Sequence, residues 1–460
     1  MSSKFTVSGS KSMGKKQEKD PREALGSTNT LLNSVFDHDS APAPVIVMDN
    51  GSHMLRAGHP GEEAPRVAIP SIVGQPPNHG VAMATGVKEY EVGEEAKLKR
   101  GMLRCSNPVE GGMISDWDAM EKLWAHVIFR ELRVAPENYT FVLTQAPNTP
   151  NKQKESTLEL MMETFNANSL YLGVAPVFAL YSYGKTTGVA VDVGLHRTSA
   201  VPVHEGYCLT RQVTTSKVAG EAVTHYLTKL LKDMGYGFST VREQELINSV
   251  KENQCYVLEP DFYRNLPPGG HIPQRTAAQL DPTNPESGFY TTASRGPEHF
   301  ELPDGKRIAL DDERHRCPEA LFNYSVLGSE FIPKQKVFCE SGEEYEPSID
   351  KGVSWLTYAA INSTEPALRE SLIDNVVLCG ASSLFPGMRR RIQKELTHFY
   401  KEIHPTEGAI PISVSETPCR EYGAWLGGCM LSQIDMFRHL AISRQEYEEM
   451  GPRIAHCKNL

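Results

Sequence analysis

Apolar and polar positions alternate along this chain in blocks with two different periods. Val45–Met48 is a continuous apolar run, and Arg66–Ile69 and Ser71–Val73 follow as short extended stretches, so strands are expected there. From Trp117 to Leu132 the period changes. Met120, Leu123, Trp124, Val127 and Ile128 recur at helical spacing, and Asp116 stands where an N-cap belongs. Tyr139–Leu143 reads as a strand, and Pro150–Asn166 as a helix with Leu158, Met161, Met162 and Phe165 on one face. Helices are expected again over Gly220–Met234, Val241–Val257 and Phe385–Phe399, with Ser371–Leu378 leading into an apolar–glycine turn at Cys379-Gly380-Ala381. Strands alternating with helices predict an α/β architecture.

Three stretches break this rhythm. Residues 1–43 are polar, rich in Ser and Lys, and aperiodic, which predicts a disordered N-terminal arm. Residues 260–300 carry Pro-Pro-Gly-Gly and several further prolines, which predicts an irregular surface insertion. A second polar insertion spans roughly 329–347.

Composition narrows the classes of function. A chain of 460 residues is too long for one simple core, so at least two domains are expected. The formal net charge of −10 disfavours direct, sequence-independent nucleic-acid binding, which needs a basic face. The nine cysteines form no CxxC pair and no Cys/His framework, so reduced, mostly buried thiols are expected in place of a metal site. No apolar run approaches the ~18 residues that would span a bilayer. Lys4, Lys11, Lys15 and Lys16 have no apolar segment behind them, so a secretory signal is not expected, and the reading is a soluble, intracellular protein without a membrane role.

Two segments carry the chemistry. Val45-Ile46-Val47-Met48-Asp49-Asn50-Gly51-Ser52 is an apolar run that ends in an acid and then a small glycine-bearing turn. Gly188-Val189-Ala190-Val191-Asp192-Val193-Gly194 repeats the grammar. Facing strand–Asp–x–Gly hairpins can clasp phosphates, because glycine lets backbone N–H groups approach anionic oxygens and the acids can hold a hydrated divalent cation.

The chain resembles actin and the actin-related proteins. The resemblance rests on MDNGSHMLRAG (48–58), EEAPRVAIPSIVG (62–74), EVGEEAKLKRGML (91–103), ISDWDAMEKLW (114–124), ELRVAPENY (131–139), METFNANSLYL (162–172) and ELPDGKRIALDDERHRCPEALF (301–322). The C-terminal WLGGCMLSQIDMF and RQEYEEMGPRIAHCKNL match too, so the likeness covers about 44–460 apart from the insertions. It implies an actin-like ATPase fold, with two RNase-H-like domains flanking a nucleotide cleft. By position, 44–70, 108–182 and 423–460 form a small-domain core and 71–107 its outer subdomain. Residues 183–218 and 333–422 form the large-domain core, and 219–332 its outer part. The chain would cross between the halves near Tyr181-Ser182 and Tyr422, which would act as a hinge.

The resemblance also implies a ligand: ATP or ADP with Mg or Ca, the cation held at Asp49 and Asp192. Asp49, Gly51, Ser52, Asp192 and Gly194 match the family's phosphate-binding pattern, and Gly220, Lys251, Glu252 and Gly380 its nucleoside side. Arg56 stands for a phosphate-contacting lysine, keeping the charge but not the geometry. Several positions depart. His53 and His196 replace small glycines beside the phosphates, where they would either bind phosphate or fill its place. Ala381 replaces a glycine, Phe385 a tyrosine, and Glu421 a lysine near the adenine. Around the attacking water, Ala175, Leu195 and Ser199 replace a glutamine, an acid and a histidine. Hydrolysis on this fold depends on placing that water, so no catalytic residues are assigned and poor or absent hydrolysis is expected.

Filament formation by this family uses an outer loop, here Gln75–Gly86 with Val81 and Met83, and an internal loop. The second insertion loads the latter with Glu340, Glu343, Glu344 and Glu346, which opposes stacking. The face formed by Tyr181, Gly184, Thr186, Leu384, Met388 and 437–454 matches the groove that actin partners grip. The leading expectation is a structural subunit of a cytoskeletal or motor assembly of the dynein or axonemal type, in cytoplasm or cilium, partnered by dynein-associated chains or actin. The alternatives are a nuclear subunit of a chromatin-remodelling complex and a filament-forming ATPase.

Overall fold

The apolar run Val45–Asn50 becomes the centre of a six-stranded sheet because it is buried on both faces. Ile46 and Met48 pack with Leu55, Trp124, Phe141 and Leu143, whereas Val47 points to the other layer with Val142, Phe178 and Trp425. A strand covered on both sides needs a continuous apolar sequence, which is what the run supplies. The computed structural model describes residues 43–460 except 77–88, 239, 260–297, 302–306, 328–336, 339–343, 346–351, 405–410 and 459–460. The N-terminal arm, most of both insertions and the greater part of the outer loop lie outside the described residues.

Two six-stranded sheets share one plan. In the first, Val45–Asn50 pairs antiparallel with Met54–Gly58, which continues to Val67–Pro70. On its other edge come Thr140–Gln145 and Ser169–Val174, both parallel, and then Ile442–Ser443. In the second, Gly188–Val193 pairs antiparallel with Thr198–His204, and on its other edge with Val376–Cys379 and Val414–Ser415 in parallel. Tyr207–Cys208 and Thr214–Ser216 complete that sheet. The repetition of acid and glycine in the sequence is therefore a repetition of structure: a hairpin extended by parallel strands.

The expected helices form, with differences in turn type and in their ends. Asp116 caps Trp117–Ala125 by accepting the Ala119 N–H at 3.0 Å, but His126–Leu132 continues with the wider π-type turn. Asn151–Glu159 passes into a π turn at Leu160–Thr164 in the same way. Gly220–Asp233, Val241–Gln254 and Met388–Ile403 are α-helical. The stretch expected to be irregular over 260–300 ends in regular structure, because Glu298–Glu301 pairs with Arg307–Leu310. In the second insertion Val337–Phe338 pairs with Glu344–Tyr345.

Helices Ala175–Ser182 and Gly423–Ser432 join the layers at close range. A Cβ on Gly427 would lie 1.7 Å from the Phe178 carbonyl oxygen, and one on Gly428 would lie 2.8 Å from Val47 Cγ1. Only glycine permits that backbone approach. Tyr181 and Ser182 end the first of these helices, and Tyr422 immediately precedes the second.

Four of the cysteines, Cys255, Cys317, Cys379 and Cys429, are buried, and no disulfide occurs among the described residues. None of the described helices is long and apolar enough to cross a membrane.

Candidate functional site

The two hairpins match position by position. Asn50 pairs with Leu55 across the turn Gly51-Ser52-His53-Met54, and Val193 pairs with Thr198 across Gly194-Leu195-His196-Arg197. Each turn therefore has four residues, glycine first and histidine third. In the register, Arg56 lies opposite Asp49 and Ser199 opposite Asp192, so each pair shares a face of its sheet.

Each turn is clamped from outside. Ser71 donates from Oγ to the Gly51 carbonyl at 2.7 Å and from its amide to the His53 carbonyl at 2.9 Å. Gly112 N–H reaches Ser52 Oγ at 3.4 Å. In the second turn, Ser382 Oγ and the Gly220 N–H both donate to the Gly194 carbonyl, at 2.8 and 3.0 Å, and the Glu221 N–H donates to Leu195 O at 2.8 Å. The first amides of helix Gly220–Asp233 are thus satisfied by the turn. A Cβ on Gly220 would meet Ser382 Oγ at 2.3 Å, and one on Gly380 would meet Asp192 Oδ1 at 2.5 Å. This explains why both positions are glycine.

The acids are held and electrostatically strained. Asp49 is buried and accepts from Thr144 Oγ1 at 2.7 Å; that Oγ1 in turn accepts the Asn50 N–H at 2.9 Å. Trp124 Nε1 donates to Asn50 Oδ1 at 3.0 Å, tying the turn to the core. Burial pushes the Asp49 carboxyl up, against the pull of Arg56 and the Thr144 bond. Asp192 rises to about 6, mainly through burial and partly through repulsion by Asp49, with Arg197 opposing. Asp192 in the second hairpin therefore senses the charge of Asp49 in the first.

The basic groups converge on the same place. Burial lowers His53, and Lys251, Lys97, Arg56 and His196 push it further down. His196 lies within electrostatic reach of His53, its Nδ1 is buried without a hydrogen bond, and its Nε2 stands 3.8 Å from Glu221. Arg197 reaches from the second turn to the carbonyls of Gly111 and Pro147, both at 3.4 Å. Arg56 pairs with Glu421 at 3.5 Å.

Among the residues expected to border a nucleoside, Lys251 is buried, and its ammonium donates to Gly220 O at 3.2 Å, Thr224 Oγ1 at 2.9 Å and Asn248 Oδ1 at 3.2 Å. Glu252, beside it, is exposed. Gly380 and Ala381 open the turn after strand Val376–Cys379, and Phe385 is buried in the core.

Met388 departs from expectation. It is fully buried among Ile392, Leu396 and Tyr358, so it belongs to the core and not to a partner groove. Asn50, Ser71, Thr144, Arg197 and Ser382 complete the site without having been singled out in the sequence. They are short polar residues or a lone arginine, and only their distant partners give them a role.

Paired acid-bearing, glycine-first hairpins on two similarly built sheets define an actin-like architecture. The family model described as Actin matches residues 40–460, and the chain belongs to the actin family. Members of this family generally bind a nucleotide with a divalent metal, and generally bind other proteins. Asp49 and Asp192 fit such a cation, since both are oxygen donors, both are raised by burial, and the charge of Asp49 raises Asp192 further.

Proposed function

We propose that this chain is an actin-like structural subunit of a cytoskeletal or motor assembly, holding ATP or ADP with Mg or Ca but hydrolysing it poorly or not at all. The two sheet-centred parts would act as the two domains of the family. The first comprises 44–70, 108–182 and 423–460, with 71–107 as its outer part. The second comprises 183–218 and 333–422, with 219–332 outside it. Nucleotide would lie between the hairpin turns. Gly51, Ser52 and Gly194 would face its phosphates with Arg56, and Asp49 and Asp192 would hold the hydrated cation, which when bound screens phosphate charge. Gly220, Lys251, Glu252 and Gly380 would border the nucleoside.

The register of the second hairpin carries this reading. Ser199 stands opposite Asp192 and is buried, Leu195 follows Gly194 in the turn, and Ala175 opens the helix after strand Ser169–Val174. None of these three side chains can accept a proton from a water or orient one as a carboxylate, imidazole and amide would.

Protein binding is supported by Met430 near the end of helix Gly423–Ser432 and by Ile434 and Met436 just after it, which are 42%, 55% and 65% exposed. Exposed apolar residues grouped in this way favour a partner surface. The proposed location is the cytoplasmic cytoskeleton, including the axoneme.

The test pairs two measurements on the full-length protein. Nucleotide binding is measured directly, and phosphate release is followed at saturating Mg-ATP. Binding with negligible release supports the reading; release at the rate of a filament-forming ATPase overturns it. Affinity capture from native extract then decides the assembly. Dynein chains or tubulin support the cytoskeletal assignment, and a helicase-type remodeller moves the protein to the nucleus.

A further inference from the structure

The site's positive charges already have partners within the protein. Lys251 gives its three protons to Gly220, Thr224 and Asn248, and Arg197 is directed at the carbonyls of Gly111 and Pro147. Arg56, whose side chain is only 13% exposed, has the Glu421 carboxylate at 3.5 Å.

Glu421 is presented by a fixed element. It lies in the short turn Arg420–Tyr422, and Arg420 anchors that turn through Thr417 O at 2.8 Å, Ser383 O at 3.2 Å and Glu416 Oε2 at 3.1 Å. The Arg420 carbonyl in turn accepts the Gly380 N–H at 3.2 Å. The contact joins residues 365 positions apart, from the strand facing Asp49 to the segment entering helix Gly423–Ser432.

The family resemblance implies a lysine at each of these two positions, whereas here the two side chains carry opposite charges. Arginine facing glutamate is neutral as a pair and needs no third charge.

We propose that Glu421 is an internal counter-anion, holding Arg56 in the place of a nucleotide phosphate oxygen, so that nucleotide binding requires Arg56 to exchange Glu421 for phosphate. This deepens the proposed nucleotide-binding reading and rests on it. Glu421 sets the affinity of the site and keeps the two hairpins' surroundings joined independently of ligand.

The experiment is a double-mutant cycle on the full chain, with Mg-ATP and Mg-ADP affinities measured by calorimetry. E421Q is nearly isosteric, so folding is retained, and thermal unfolding of the nucleotide-stripped proteins verifies this. E421Q is expected to bind Mg-ATP about fivefold more tightly than the unaltered protein. That gain is expected to vanish in an R56Q background, where R56Q/E421Q binds like R56Q. An equal gain in both backgrounds reduces Glu421 to general repulsion of a polyanion and overturns the proposal. Unchanged affinity in E421Q, with measurable binding throughout, overturns the proposal and leaves the nucleotide reading standing. Binding by none of the four proteins overturns both.

Discussion

Thr144 holds Asp49: its hydroxyl donates to the carboxylate at 2.7 Å while accepting the Asn50 amide at 2.9 Å. One side chain therefore satisfies two groups of the first hairpin from a neighbouring strand. Thr144→Val keeps the shape and removes both bonds, leaving a buried carboxylate oxygen and a backbone amide without partners. The expected loss is about 2–4 kcal/mol by urea unfolding, because an unsatisfied buried group costs ~1–3 kcal/mol and a charged one more. Thr144→Ser, which retains the hydroxyl, is expected to lose less than about 1.5 kcal/mol.

Asp192 makes stability fall as pH rises. Its carboxyl titrates near 6 in the fold against 3.8 as the ordinary value. Below pH 3.8 both folded and unfolded states are protonated there. Between 3.8 and about 6 the unfolded chain gives up its proton first, so the folded state loses ground across that window and the loss stays constant above it. The residue is partly exposed, which tempers the effect to about 1–2 kcal/mol. Asp192→Asn is expected to raise stability at pH 7.5 by that amount and to flatten the profile between pH 4 and 6 in denaturation curves. An unaltered profile would show that the strain is not at this carboxyl.

The packed helices Ala175–Ser182 and Gly423–Ser432 make a sharper mechanical demand. Gly427→Ala would drive a Cβ to 1.7 Å from the Phe178 carbonyl oxygen, whereas a Cβ on Gly101 meets nothing within 4 Å. Backbone cannot yield as a flexible side chain does. Gly427→Ala is expected to destabilise by more than about 3 kcal/mol, and Gly101→Ala to stay within about 0.5 kcal/mol in thermal unfolding.

Local patterns were legible in the sequence, and long-range partners were not. The run Val45–Met48 followed by Asp49 and Gly51 showed a strand and a turn because burial on both faces demands an unbroken apolar stretch. Its repetition at Gly188–Gly194 showed the second hairpin. The π turns at His126–Leu132 and Leu160–Thr164 left no mark, because their apolar spacing serves an α-helix equally well. Ser382 acquires its role only by meeting Gly194, 188 positions away, and Glu421 only by meeting Arg56. Met388 was assigned to a surface by positional likeness, although Met388, Ile392 and Leu396 at four-residue spacing describe the buried face of their helix.

The proposed hydrolytic deficit can be tested by restoring its parts. Ala175 and Leu195 are both partly exposed, so Gln and Asp can be accommodated there, while Ser199 is buried and a histidine at that position must displace neighbours. Ala175→Gln with Leu195→Asp is therefore expected to fold normally, and the triple variant with Ser199→His to lose about 1–3 kcal/mol by overpacking. General acid–base help from a positioned group is worth about 10²–10⁴-fold. The triple variant is expected to release phosphate from Mg-ATP at least ~10²-fold faster than the unaltered chain, and the double variant to show a smaller gain. Single-turnover phosphate release at saturating nucleotide measures the chemical step apart from binding. A triple variant that folds, binds Mg-ATP and still releases no phosphate would mean that the hairpins themselves, with histidine third in each turn, no longer position the γ-phosphate for attack.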